Sequence, residues 1–149
     1  MMEQKELVAS IFKTFNVDLS SLKSRIAFQK TVYILQEIGF EKNFNFVWNH
    51  FGPYSSSLAM IGRSINEVDV MNASELNDEY TNKFKELVEG YRRDTKFLEM
   101  MADVIFIVRN MGIKNKEEIF SKIIEHRSYL DDREMFNLIN SRLFRLNLI

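Results

Sequence analysis

The sequence predicts a single, mainly α domain of about seven helices, with a small two-stranded β element near residues 44–48 and 67–71. Three observations lead there. Apolar residues recur at helical spacing through most of the chain, and the runs are bounded by capping side chains or glycines. One short stretch, Phe44 to Asn49, alternates aromatic and polar residues as a strand does. At 149 residues the chain is long enough to bury a core as one domain without disulfide staples.

The elements follow in order. Residues 3–15 read as an amphipathic helix with Leu7, Ile11, Phe12 and Phe15 on one face, broken by Asn16-Val17-Asp18. Ser20 or Ser21 caps a second helix to about Ile38, because a serine oxygen accepts from an exposed backbone N–H of the first turn. Its apolar residues, among them Leu22, Ile26, Phe28, Val32 and Leu35, lie on several faces, which places it centrally; Gly39 ends it. After the aromatic strand, Gly52-Pro53 is read as a turn that packs on the 25–35 helix. Ser55-Ser56-Ser57 opens a third helix with Leu58, Ile61 and Ile65 on one face. Glu67-Val68-Asp69-Val70 is read as the second strand, and residues 72–78 as a polar connection between a motif-bearing subregion, 1–71, and a helical one, 72–149. There, Phe84, Leu87, Val88 and Tyr91 mark one helix, and Asp94 or Thr95 begins another that Gly112 stops. Asn115 with Glu118 and Asp131 with Glu134 resemble capping boxes for two more.

Composition excludes several function classes. The absence of cysteine removes thiolate nucleophiles, disulfides and Cys-ligated metals. No apolar run reaches the roughly 18 residues of a membrane span, and no signal-peptide core opens the chain, so a cytoplasmic protein without a membrane partner is expected. Net charge is −1, and residues 1–74 carry seven side chains of each sign. That balance disfavours nucleic acid as a partner, since phosphate contacts demand a basic face.

The residues with the most specific pattern are Arg25, Phe28-Gln29-Lys30 and Val32-Tyr33-Ile34-Leu35, followed by an aromatic strand containing Trp48 and then Phe51-Gly52-Pro53-Tyr54-Ser55 with Leu58. This arrangement resembles the signature of the YwgA-like family of small prokaryotic proteins. More distantly it is similar to the Panacea domain of SocA-type antitoxins, where a Gln-Lys helix precedes a strand and a Gly-Pro turn. The resemblance implies an intracellular, mostly helical module that works by binding other proteins, in an antitoxin or adaptor role.

Chemistry finds little support elsewhere. Lys30 and Arg25 can present charge to an anionic ligand; the favoured reading is that they reach solvent or pair with Glu37 or Glu41. Gly52-Pro53-Tyr54-Ser55 lacks phosphate-loop glycine spacing, and Ser55 or Ser56 is better explained as a helix cap. His50 and His126 stand alone without metal-ligand spacing, and no serine has a base partner. No catalytic residue, metal or cofactor is therefore expected. Trp48, Phe44 and Phe46 can stack bases, but one strand facing a core explains them first.

The expected function is a non-enzymatic protein-interaction module. The alternative is a nucleic-acid-associated regulator with a winged-helix-like half, using Arg92-Arg93 and Arg142/Arg145 on phosphates. A physical motive for a partner, a homodimer included, is that Phe97, Met100, Val104 and Met111 lie across the helix from Leu98, Ala102 and Ile105. Either the domain covers both faces itself or a second chain covers one.

Overall fold

The computed structural model describes residues 2–149. Eight α-helices and one two-stranded antiparallel sheet are seen among these residues: α1 Gln4–Phe15, α2 Leu22–Ile38, β1 Val47–Asn49, β2 Gly52–Tyr54, α3 Ser56–Ser64, α4 Glu67–Asn72, α5 Glu79–Leu87, α6 Thr95–Met111, α7 Lys116–His126 and α8 Arg133–Arg145. A single 3-10 turn, Ser128–Leu130, joins α7 to α8. The fold is a mainly α single domain.

The caps explain most boundaries. Ser21 accepts from Ser24 N, Ser55 from Leu58 N, Asp94 from Phe97 N and Asn115 from Glu118 N, so each helix start has a donor satisfied by the side chain before it. Asn16 and Gly112 adopt left-handed conformations that stop α1 and α6. The last helix begins one residue later than its acidic pair suggests: Asp132 accepts from Met135 N.

Two expectations are corrected. Residues 67–71 form no strand. Asn66 and Asp69 make a reciprocal capping box, and the chain runs as helix α4. The second strand is instead Gly52–Tyr54. The Gly-Pro pair lies in a strand, and the turn is the two-residue His50-Phe51 link before it, with Trp48 opposite Pro53 and Asn49 opposite Gly52. Proline is tolerated because β2 is an edge strand with no third neighbour. The fifth helix also stops short of Tyr91, whose ring stacks on Phe97, the two nearly parallel at 4.4 Å.

Helix α6 is the strut of the domain. It is buried without interruption from Phe97 to Ile107, with α2 and β2 among its neighbours and α7 and α8 also packed on it. Both apolar faces of α6 are thus covered within one chain, which removes that motive for a second one. Edge-to-face pairs such as Phe12–Phe28 and Tyr33–Phe46 join α1, α2 and the segment before β1. No helix among the described residues is long and apolar enough to cross a membrane.

Candidate functional site: a buried charge network beneath the hairpin

Four ionisable side chains meet where the hairpin crosses α2 and α6. Lys30, Glu99, Asp103 and Arg127 are respectively 1%, 2%, 0% and 4% exposed, so all four are buried. Glu99 and Asp103 stand one helical turn apart on the same face of α6. Arg127, just past the end of α7, pairs with Asp103 through Nη2. Its Nη1 donates to the His50 carbonyl at 3.1 Å, and its guanidinium lies 4.9 Å from the centre of the Trp48 ring. Its Nε approaches Glu99 Oε2 at 3.4 Å but out of hydrogen-bond alignment, so that contact is Coulombic only. The Tyr129 hydroxyl donates to the other side of the network, at Glu99 Oε2.

From α2, the Lys30 ammonium donates to the Pro53 carbonyl at 2.7 Å. The preceding Gln29 forms two bonds to one residue, accepting from Ser55 N and donating to Ser55 O, each at 2.9 Å. Neighbouring side chains of α2 thus fasten β2 at its end and its middle. Two positive and two negative groups sit together, which is the condition under which buried charge is tolerated.

Burial dominates the titration of Lys30, Asp103 and Glu99. It lowers Lys30 to about 8 against the opposing pull of the Asp103 and Glu99 carboxylates. It raises Asp103 to about 7 in spite of the Arg127 guanidinium, and it raises Glu99 above the ordinary carboxyl range. Tyr33, whose buried hydroxyl has no hydrogen-bond partner, is likewise pushed up by desolvation.

Gly52 closes the network from above. Its φ is +90°, a conformation side chains resist, and a Cβ there would stand 2.2 Å from Asp103 Oδ1. That oxygen has no hydrogen-bond partner and lies against the Gly52 backbone. Gly52 is therefore fixed twice, by backbone conformation and by the carboxylate beneath it.

The residues singled out by sequence divide into two sets. Gln29, Lys30, Trp48, Gly52, Pro53 and Ser55 belong to the fastening just described, with Ser55 also capping α3. The expectation that Lys30 reaches solvent or pairs with Glu37 or Glu41 is corrected: its partner is a strand carbonyl, and the nearby acids come from α6. Arg25 is exposed, its guanidinium donating to the Leu19 carbonyl at 3.3 Å, and Tyr54 is half-buried. Tyr33 packs in the core. Glu99, Asp103, Arg127 and Tyr129 carried no flag in the sequence reading. The available signal was the acid pair at i, i+4 inside the apolar run from Phe97 to Val108, which has no route to water and so calls for buried cations.

The second set lines a hollow. Arg25, Ile26, Phe51, Tyr54, Ala59 and Arg63 surround a cavity of about 230 Å³ between α2, the hairpin and α3. A shallower depression on the far side of Leu19 and Arg63 continues past Ile65 to Met71 on α4, where Met71 is exposed. Of the arginines proposed for phosphate contact, Arg92 and Arg142 also make contacts within the fold, while Arg93 and Arg145 are exposed. Arg142 donates to the Leu87 and Glu89 carbonyls at the end of α5, each at 2.8 Å, and Arg92 lies over the Phe15 ring. His126 stands edge-on to Trp48, and Asp132 caps α8. Among the described residues no three His, Asp or Glu side chains group as a metal ion requires.

Comparison with known protein families, curated proteins and solved structures finds no match to this chain.

Proposed function

We propose that the protein is a non-enzymatic interaction module, antitoxin- or adaptor-like, which docks a second protein on the face formed by α2, the hairpin and α3. The observation that supports this reading is the arrangement of the Arg25–Leu58 motif. Gln29 and Lys30 fasten the hairpin and also line the hollow, while Arg25, Phe51 and Tyr54 complete its mostly apolar wall. Glu99 and Asp103, the perturbed carboxylates, are buried under the hairpin and line none of the cavities described, which argues against acid–base catalysis by that pair. Exposed Leu22 beside the hollow and Met60 on α3 add apolar surface of the adaptable kind that partners cover.

The test is capture of a partner from a lysate of the source cells by wild type and by Ala59→Arg, which fills the hollow. The expected result is a stoichiometric partner with the wild type that is lost with Ala59→Arg at unchanged melting temperature. Capture equal for both, or no partner retained by the wild type, overturns the reading. Light scattering of the purified chain reports whether that partner is a second copy.

A further inference from the structure

We propose that the hollow between α2, the hairpin and α3 receives a bulky apolar side chain of a partner protein that is flanked in the partner's sequence by carboxylates. The inference rests on the docking face proposed above and specifies its chemistry. Three features of the hollow carry it.

The first is charge. The charged residues lining the cavity are Arg25, Lys30 and Arg63, all basic, in a chain whose net charge is −1. Arg25 and Arg63 are exposed at its rim, and neither forms an ion pair with any described carboxylate. Arg25 forms one bond, to the Leu19 carbonyl, and its other guanidinium N–H groups have no partner among the described residues, which leaves them available to a bidentate acceptor. Lys30 lies beneath them, and its positive charge is already balanced within the buried network, so the recognition falls to the two arginines.

The second is the lining itself. Leu22, Ile26, Phe28, Phe51 and Ala59 give an apolar wall, with the half-buried Tyr54 ring at its edge. Such a wall accepts hydrocarbon, and its basic rim demands an anion beside it.

The third is size. About 230 Å³ falls below the roughly 300–1,000 Å³ of pockets that enclose a free small molecule. It suits a single aromatic or branched side chain, the usual anchor of a protein partner, with the partner's backbone running across the mouth.

The experiment is a titration of isotope-labelled full-length protein, followed by amide chemical shifts, with three blocked tripeptides: acetyl-Glu-Phe-Glu amide, acetyl-Lys-Phe-Lys amide and acetyl-Glu-Ala-Glu amide. The acidic phenylalanine peptide is expected to saturate within about 10 mM and to shift amides of residues 22–30 and 51–63. It should bind at least about five-fold more tightly than either of the others, and lose that margin in high salt. In Arg25→Glu/Arg63→Glu, two exposed positions, the preference should reverse toward the lysine peptide. Absence of saturation, equal affinity for acidic and basic peptides, or a preference untouched by the double charge reversal overturns the acidic anchor. The docking face is judged separately, by whether Ala59→Arg abolishes partner capture.

Discussion

Replacing Gly52 with alanine adds one methyl group and is expected to destabilise the domain by about 3–7 kcal/mol. The magnitude has three parts. Holding a residue with a Cβ at φ +90° costs about 1–2 kcal/mol. The new Cβ would lie 2.2 Å from Asp103 Oδ1, well inside contact distance, so the carboxylate must move and its pairing with Arg127 is broken or bent. Breaking a buried pair costs about 3–5 kcal/mol. Against this, alanine restricts the unfolded chain and returns about 0.4–1 kcal/mol. Urea unfolding followed by circular dichroism measures the difference, provided the dependence on urea is unchanged. The cause is isolated by repeating the substitution in an Asp103→Ala background, where the 2.2 Å clash is gone and the methyl group meets Arg127 Nη2 at an ordinary 3.5 Å, so the added loss should fall to about 1 kcal/mol. A loss below about 1 kcal/mol in the wild-type background, or an equal loss in both, would refute the claim that Gly52 is fixed by the carboxylate under it.

Arg127→Met leaves the Glu99 and Asp103 carboxylates with only Lys30 as cation and is expected to cost about 3–5 kcal/mol by urea unfolding; a change under about 1 kcal/mol would mean the network is not electrostatically coupled. Gln29→Leu orphans the N–H of Ser55, whose carbonyl keeps the Ala59 N–H, and should cost about 1–3 kcal/mol, with the melting temperature falling accordingly. Stability should depend on pH through the two perturbed groups with opposite signs. Asp103 is raised from 3.8 to about 7, so the folded state holds the extra proton between those values, and its contribution is lost as pH rises through that window. Lys30 is lowered from 10.5 to about 8, so the unfolded state holds the extra proton there, and stability recovers from about pH 8 to 10.5. Difference curves between wild type and Asp103→Asn or Lys30→Met isolate each limb; a flat difference would refute the assignment.

Helix boundaries were legible because capping chemistry is local: Ser21, Ser55, Asp94 and Asn115 each act within a turn of their own position. The same locality misled at residues 67–71. Four residues of alternating Val and acid fit a strand as well as a six-residue helix, and it is the Asn66–Asp69 capping box that decides for the helix. The Gly52-Pro53 pair was placed against α2 correctly, yet read as a turn, because the preceding His50-Phe51 link has no glycine or proline to mark it. The network was hidden for a different reason. Lys30 sits about seventy positions from the carboxylates that share its surroundings, and no periodicity within a helix reports so distant a neighbour. What a single helix does report is need: an acid pair sealed in an apolar run requires cations from somewhere.

A three-residue-a-side hairpin is too small to hold itself together, and here it is held from below by side chains of α2 and by Arg127 from beyond α7. The bond from Arg127 to the His50 carbonyl joins positions 77 residues apart. Closing so long a stretch of chain costs conformational entropy that only the surrounding packing offsets. The strand amides are thereby tied to the whole domain. Ser55 N–H, locked on Gln29, has no small opening through which to meet water, and its hydrogen exchange should proceed at the rate of global unfolding while the ends of α1 and α8 exchange by fraying. The smallest element of the fold is in this sense a gauge of its integrity: when the hairpin lets go, the charges beneath it are exposed and the interior of the domain opens with them.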